Sequence, residues 1–541
     1  MTGIGEIARR GGGWLPLIAL TSLGGSAAGL ALPAVLGRAV DAMASGTGTR
    51  VWLAWAAALV AVSVACDLAG TYSSTACVAS TTAWLRGRLL SHLLDVEPER
   101  CRAFAAGDLV TRVSGNAATA AQAGPSLMVL GAAVLPPVGS LGLLAVLDPW
   151  LAVAFLAGLG LVALVLRTFS QRTAEAASRY LTVQGHIAGR LAEALAGIRT
   201  IAASGTAELE ERRILRPLPE LHEHGTRVWR VLARTGAQGT IAGPLVLVAV
   251  LATGGLSLVD GRITPGELFA AGQYAAQGAG LGGLTGLLGA FARARAGAAR
   301  AGEITALPPV RYGDRVLPAG TGRLVFRGVS VPGLRIDLEL PGGLAVAVVG
   351  RSGAGKSALA ALAARLRDPH SGEILLDGVP LAELSRAELR SRIGCAFERP
   401  VLVGDTIADA IGMGRPSFRA AAEATRAHDF ITRLPEGYGT ALADAPMSGG
   451  EAQRLGLARA WHADRLLVLD DATSSLDTVT EMRISRTLTE DHGHRTRLIV
   501  THRVSTAARA DLVVWLDGGR VRKAGPHVVL WADPEYRAVY G

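Results

Sequence analysis

Ala345-Val-Ala-Val-Val349, Gly350-Arg-Ser-Gly-Ala-Gly-Lys356-Ser357 and Ala358-Leu-Ala-Ala-Leu-Ala-Ala364 follow one another without a break, and this run decides the fold of the C-terminal half. Five consecutive small and β-branched apolar residues stopped by glycine read as a strand buried on both faces; the Ala/Leu run reads as a helix. GxxxxGK[ST] between such a strand and such a helix is a phosphate-binding loop in its confirming context. Its glycines let backbone N–H groups close around a β-phosphate, the helix N-terminus adds positive potential, and Lys356 offsets the charge of β and γ oxygens. The candidate phosphate-binding residues are Gly350, Arg351, Ser352, Gly353, Ala354, Gly355, Lys356 and Ser357, with the Ser357 hydroxyl also a ligand for Mg2+.

Outward along the chain, Leu466 to Leu469 is a second apolar strand, ending in Asp470 and Asp471. A carboxylate at a strand end beside the phosphate loop can hold Mg2+, and the next one can polarise an attacking water. Between the two strands lies Met447-Ser448-Gly449-Gly450-Glu451, followed by the helical run Ala452 to Ala460. A Ser-Gly-Gly turn before a helix is commonplace. Its place, about ninety residues after the loop and about twenty before Asp470, is what makes it a candidate. Short apolar strands alternating with helical segments from about Thr321 predict a soluble α/β domain.

The N-terminal half is of another kind. The chain's 541 residues are 50% hydrophobic and 18% charged, with mean hydropathy +0.34, too apolar for an ordinary soluble protein of this length. Six apolar runs lie before residue 290, near Trp14 to Leu36, Val51 to Tyr72, Ser126 to Leu147, Trp150 to Leu166, Ile241 to Val259 and Leu268 to Leu288. Each is about as long as a helix needs to cross a bilayer. The first is too long for a cleaved signal peptide and is followed by another span. The connection from 85 to 124 carries five Arg and that from 167 to 235 carries eleven, against three (Arg38, Arg50, Arg262) in the other connections. Positive loops stay in the cytoplasm, so the N-terminus and the C-terminal half are expected there. The expected division is a six-helix transmembrane domain with long cytoplasmic extensions (1–305), a Pro/Gly/charge-rich linker (306–321) and an α/β P-loop nucleotide-binding domain (322–541). Cys66, Cys77, Cys101 and Cys395 form no CxxC pair, which excludes a disulfide scaffold or structural zinc site. The net charge of +9 contains no Lys/Arg tract, and basic membrane loops account for it without nucleic acid.

The whole chain resembles the ATP-binding cassette (ABC) transporters, specifically exporter-type half-transporters. The resemblance rests on Gly350 to Ser357 (Walker A), Ser448, Gly449, Gly450 and Glu451 (the signature), Leu466 to Asp470 (Walker B), Ser474 to Asp477 (the D-loop), and Val500-Thr-His502-Arg (the switch histidine). Phe104 to Arg112 and Ala202 to Glu210 look like the two coupling-helix regions. The resemblance implies ATP with Mg2+ as cofactors, Ser357 and Asp470 as metal ligands, and Asp471, His502 and Glu398 as catalytic positions. It implies a second half-transporter as partner, because each ATP lies between one cassette's Walker motifs and the other's signature. The expected function is ATP-driven export of a small molecule, peptide or lipid across a bacterial cytoplasmic membrane by alternating access. An importer built on the exporter fold and a regulatory ATP-binding subunit are the alternatives.

Four features depart from the family pattern. Asp471 stands where Glu is usual, and Glu398 replaces the Gln of the Q-loop. The adenine-stacking aromatic expected after Val329-Ser-Val331 is absent, with Pro332-Gly333 following directly. Ala441 to Met447 is shorter than usual. Defects on the Walker side beside an intact signature point to the degenerate-site half of a heterodimer; a homodimer in which Asp471 serves is the alternative. In the spans, Asp67 and the group Gln273, Tyr274 and Gln277 are candidate cavity residues, and Gly278, Gly282 and Gly286 form a small-residue packing stripe.

Overall fold

A computed structural model of the chain describes residues 4–540 except 47, 279–281, 417 and 491–494, and leaves the side chains of 161–179, 181–182, 228, 231–232, 234–242, 282–285 and 489–490 undescribed. It divides into two compact units, residues 1–94 with 105–306 and residues 95–104 with 307–541.

The first unit is helical. Its long helices are α1 (Trp14–Ser45), α2 (Thr49–Asp95), α3 (Leu135–Leu147), α4 (Pro149–Ala196), α5 (Leu218–Val259), α6 (Pro265–Gly278) and α7 (Gly282–Thr305). Among the described residues Trp14–Ser45, Thr49–Asp95 and Ala106–Leu147 are long and apolar enough to cross a membrane, and Pro149–Gly160 and Gly243–Val259 are shorter apolar stretches. The sixth expected run, 268–288, includes residues outside the description. Both candidate coupling regions fall on short helices, Ala106–Thr111 and the pair Ile198–Ser204 and Ala207–Leu215. Arg112, buried at the end of the first, donates to Asp108 at 2.8 Å and to Glu303 and the Arg300 carbonyl on α7 at 2.5 and 2.9 Å.

Two of the candidate cavity residues bond across to α1. Pro33 inside α1 has no N–H, so the Gly29 carbonyl loses its helical donor. Gln277 supplies the missing bond, its Nε2 donating to Gly29 O at 3.0 Å, and the buried Tyr274 hydroxyl donates to the Leu30 carbonyl at 3.1 Å. Tyr274 and Gln277 therefore brace α1 at its proline, and only Gln273 of the three is exposed. Asp67 is exposed beside Thr21, Ser22, Thr71 and Ser74 in a cavity of about 360 Å3. Of the glycine stripe, Gly278 is a close-packing position: a Cβ there would lie 2.4 Å from the Phe155 ring.

The second unit holds two sheets. The first is antiparallel, in the order β2 (Leu334–Leu340), β1 (Leu324–Val331), β4 (Ser371–Leu376), β5 (Val379–Pro380). The second has the order β10 (Arg520–Gly525), β9 (Leu512–Asp517), β3 (Ala345–Val349), β8 (Thr496–Val500), β7 (Leu466–Asp470), β6 (Ile393–Phe397). All its neighbours are parallel except β10. Every residue of β3 is buried, as the unbroken apolar run requires of a central parallel strand. Helix α8 (Lys356–Ala363) follows the phosphate loop, and α9 (Gly449–Ala460) follows the Ser-Gly-Gly turn. Residues 95–104 belong to this unit by direct contact: the Val310 amide bonds the Asp95 carbonyl, Val96 bridges Pro309, and Arg367 and Arg386 pair with Glu99 and Asp95.

Candidate functional site

In a parallel sheet, ligands gather at the carboxyl ends of the strands. Four such ends are adjacent here in the order β3, β8, β7, β6. Phe397 lies beside Asp470, and Asp470 beside Val500, so Glu398, Asp471 and the Thr501-His502 pair leave the sheet side by side, next to the loop that follows Val349.

The loop's shape is forced at Gly355, whose φ of +98° suits glycine and where a Cβ would lie 2.6 Å from Leu334 Cδ1. Lys356 is buried and turned onto the loop itself, its Nζ donating to the Gly350 and Arg351 carbonyls at 2.8 and 3.1 Å. The ammonium is thus parked where an arriving phosphate would draw it off two neutral carbonyls. Ser357 Oγ donates to Asp470 Oδ1 at 3.0 Å. This hydroxyl and carboxylate form a pair of hard oxygen ligands of the kind Mg2+ takes beside nucleotide phosphates.

Charge is crowded at this edge. Burial lowers the Lys356 pKa, opposed by Asp471 and Asp470. Burial raises Asp470, opposed by the Ser357 hydrogen bond and reinforced by the Glu398 charge. Burial also raises Asp471, opposed first by His502, whose Nε2 lies 3.5 Å from its carboxylate. Asp471 has φ +49°, in the left-handed region that Asp enters more readily than longer side chains. The aspartate therefore suits its backbone, and Glu398 adds a third acid to the cluster.

The signature residues stand apart, at the N-terminus of α9. Ser448 Oγ accepts from the Glu451 amide at 3.3 Å, while the Glu451 carboxylate accepts from the Ser448 amide at 2.8 Å. This is a reciprocal capping box, which fixes the turn and leaves the Gly449 and Gly450 amides at the helix's positive end. Asp477 caps the next helix, accepting from the Val479 and Thr480 amides at 3.1 and 2.9 Å.

One residue that the sequence reading passed over joins these parts. Gln453, on the second turn of α9, is 2% exposed. Its Nε2 donates to the Glu398 carbonyl at 2.6 Å and to Ser474 Oγ at 3.0 Å, and its Oε1 accepts from the Ser475 amide at 2.9 Å. Arg503, next to His502, donates to the Ser474 carbonyl at 3.0 Å and pairs with the buried Glu481. The D-loop is therefore held from one side by the signature helix and from the other by the switch loop. The available signal was spacing: Gln453 shares a helical face with the apolar Leu457 and Ala460, so it had to be buried.

Comparison with known proteins agrees with this geometry. Residues 15–279 match the family described as ABC transporter transmembrane region and residues 334–474 the family described as ABC transporter. The chain is 45% identical over 538 residues to the ABC transporter ATP-binding protein RamA of Streptomyces coelicolor, covering 97% of this chain and 85% of that protein. It is 33% identical over 453 residues to a fatty acid ABC transporter ATP-binding/permease protein of Mycobacterium bovis, covering 80% and 71%. Identity to an ATP-dependent lipid A-core flippase of Chromohalobacter salexigens is 31% over 504 residues, covering 87% and 85%.

Proposed function

The chain belongs to the ABC transporters as an exporter-type half-transporter, a multi-pass membrane ATPase, and from that premise we propose that it is the degenerate-site half of a heterodimeric exporter. The observation that carries this is the asymmetry at the strand ends: Asp471 and Glu398 crowd the phosphate loop with acid, while the Ser448 turn is complete. In this reading Gly350 to Ser357 hold the triphosphate of the chain's own ATP, and Ser357 and Asp470 hold Mg2+. Bound there, Mg2+ would neutralise phosphate charge. Lys356 leaves the Gly350 and Arg351 carbonyls for the phosphates, and His502 faces the γ-phosphate. Asp471 is the base position. Its carboxylate is one methylene shorter than glutamate, and a misplacement of about 1 Å costs about 100-fold in rate.

Ser448 with the Gly449 and Gly450 amides completes the partner's site, where turnover is faster. Closure of the two cassettes on ATP drives the membrane helices outward-facing, and hydrolysis resets them. The Arg distribution orients the N-terminus and cassette to the cytoplasm. Relatives named for fatty acids and lipid A-core favour an amphiphilic cargo. Steady-state ATPase of the purified chain, alone and with a second half-transporter from the same source, tests the reading. Slow turnover alone and fast turnover as a pair is the expected result; brisk turnover alone, lost on Asp471→Asn, identifies a working homodimer.

A further inference from the structure

The hairpin between β1 and β2 is where the adenine-stacking aromatic is missing, and the structure has a cavity of about 460 Å3 at that place. It is lined by the hairpin tip, by the Gly518-Gly519 turn that follows β9, and by three basic residues, Arg335, His370 and Arg520. Both turns adjoin the phosphate loop. Leu334 lies over Gly355, and a Cβ on Gly350 would lie 2.3 Å from the Leu516 carbonyl. The two turns are also tied together, the Arg335 amide donating to the Gly519 carbonyl at 2.8 Å. A nucleotide whose phosphates sit in the loop therefore has this cavity within reach of its base.

The cavity's chemistry is one-sided. No lining residue is acidic. Arg335, His370 and Arg520 are exposed, and among the described residues none of their side chains has a hydrogen-bond or ion-pair partner. Two unpaired guanidinium groups and an imidazole around one cavity offer donors and flat faces. A guanidinium stacks on any base, which replaces part of what the aromatic would supply. At the base edge the two purines differ. Guanine presents O6 and N7, two adjacent acceptors that fit the fork of an arginine, whereas adenine presents an amino donor beside N7. Neither guanidinium can accept from that amino group.

Resting on the phosphate-loop reading above, we propose that Arg335, His370 and Arg520 form a substitute base subsite, and that this chain's own nucleotide site accepts GTP at least as well as ATP. The test is binding of N-methylanthraniloyl-labelled ATP and GTP to the purified full chain. GTP is expected to bind no more weakly than ATP. Arg335→Ala with Arg520→Ala should weaken GTP about tenfold, the loss of one good bidentate contact, with a much smaller effect on ATP. Pro332→Tyr, which returns an aromatic to the exposed hairpin tip, should tip the ratio toward ATP. A tenfold preference of the unmodified chain for ATP overturns the proposal, as does an equal loss of both nucleotides in the double variant. Lys356→Ala separates the two claims: loss of both nucleotides there keeps the phosphate-loop reading whatever the base ratio does, and unchanged binding removes that reading together with this one.

Discussion

At the carboxyl ends of the strands, Lys356, Asp470, Asp471 and Glu398 stand close together with their charges only partly answered by protein groups. At the N-terminus of α9, Ser448 and Glu451 satisfy each other completely. The first region is built to be finished by a ligand, since its lysine holds neutral carbonyls and two of its acids are pushed toward their neutral forms by burial. The second is finished in advance. A helix cap that needs nothing from its own chain's nucleotide is free, in the heterodimer proposed above, to serve a neighbour's. On the proposed reading, that difference lets Asp471 and Glu398 depart from the family pattern while the signature turn keeps it.

The comparison breaks most sharply at the turn itself. Ser448→Arg should lower ATPase of the paired complex by about 100-fold or more, because the side chain blocks the partner's γ-phosphate and removes an electrostatic contact to the transition state; activity retained by the pair would show that the turn serves no other subunit. Lys356→Ala should weaken nucleotide binding by this chain about tenfold or more through loss of a charge-assisted contact, read with labelled nucleotide. Gln453→Leu removes the bonds to Glu398, Ser474 and Ser475 while keeping the volume. It should lower kcat of the pair about tenfold with little change in KM, the pattern of an interaction needed only at turnover, and Gln453→Glu, which keeps the acceptor but lacks the donor to the Glu398 carbonyl, should not restore it. Asp471→Asn should change turnover of the pair by less than about threefold, small beside the roughly 100-fold cost of displacing an active catalytic group.

The smallest effect concerns acid. Burial alone would raise Glu451, yet the Ser448 amide and hydroxyl and the charges of Arg454 and Arg433 bring it below the ordinary glutamate value. A depressed carboxylate stabilises the cap above its unfolded pKa of about 4.3, and that contribution disappears as pH falls through the lower folded value. Protection factors of the Gly449 to Ala452 amides, taken against the intrinsic exchange rate at each pH, should fall over that window, and Glu451→Gln, which keeps the capping box, should flatten the response.

The phosphate loop, the Walker B aspartate and the signature turn were legible because each is a local pattern, a strand end followed by a fixed spacing. Gln453 was not, because its three partners lie on the Q-loop and the D-loop, about 55 and 22 residues away in sequence. Tyr274 and Gln277 are candidate cavity residues on polarity alone, and Tyr274 does line a cavity of about 230 Å3. Their bonds to α1 were not legible, because they answer Pro33, some 240 residues earlier, and the carbonyl it leaves without a donor. Asp67 needed no such partner to be placed. An acid in an apolar run has few places to go, and it lies among hydroxyl groups.

Residues 95–104 pack with the cassette although they precede it by some two hundred positions. The cassette is therefore not a detachable tail. Cut free at residue 307, it would lose the Asp95 and Glu99 partners of Arg386 and Arg367 and the strand contact at Val96. A chimaera that exchanges cassettes between two half-transporters would have to carry these ten residues with the graft. The folded unit is a discontinuous one, and a junction drawn at the linker would splice mismatched halves of a single body.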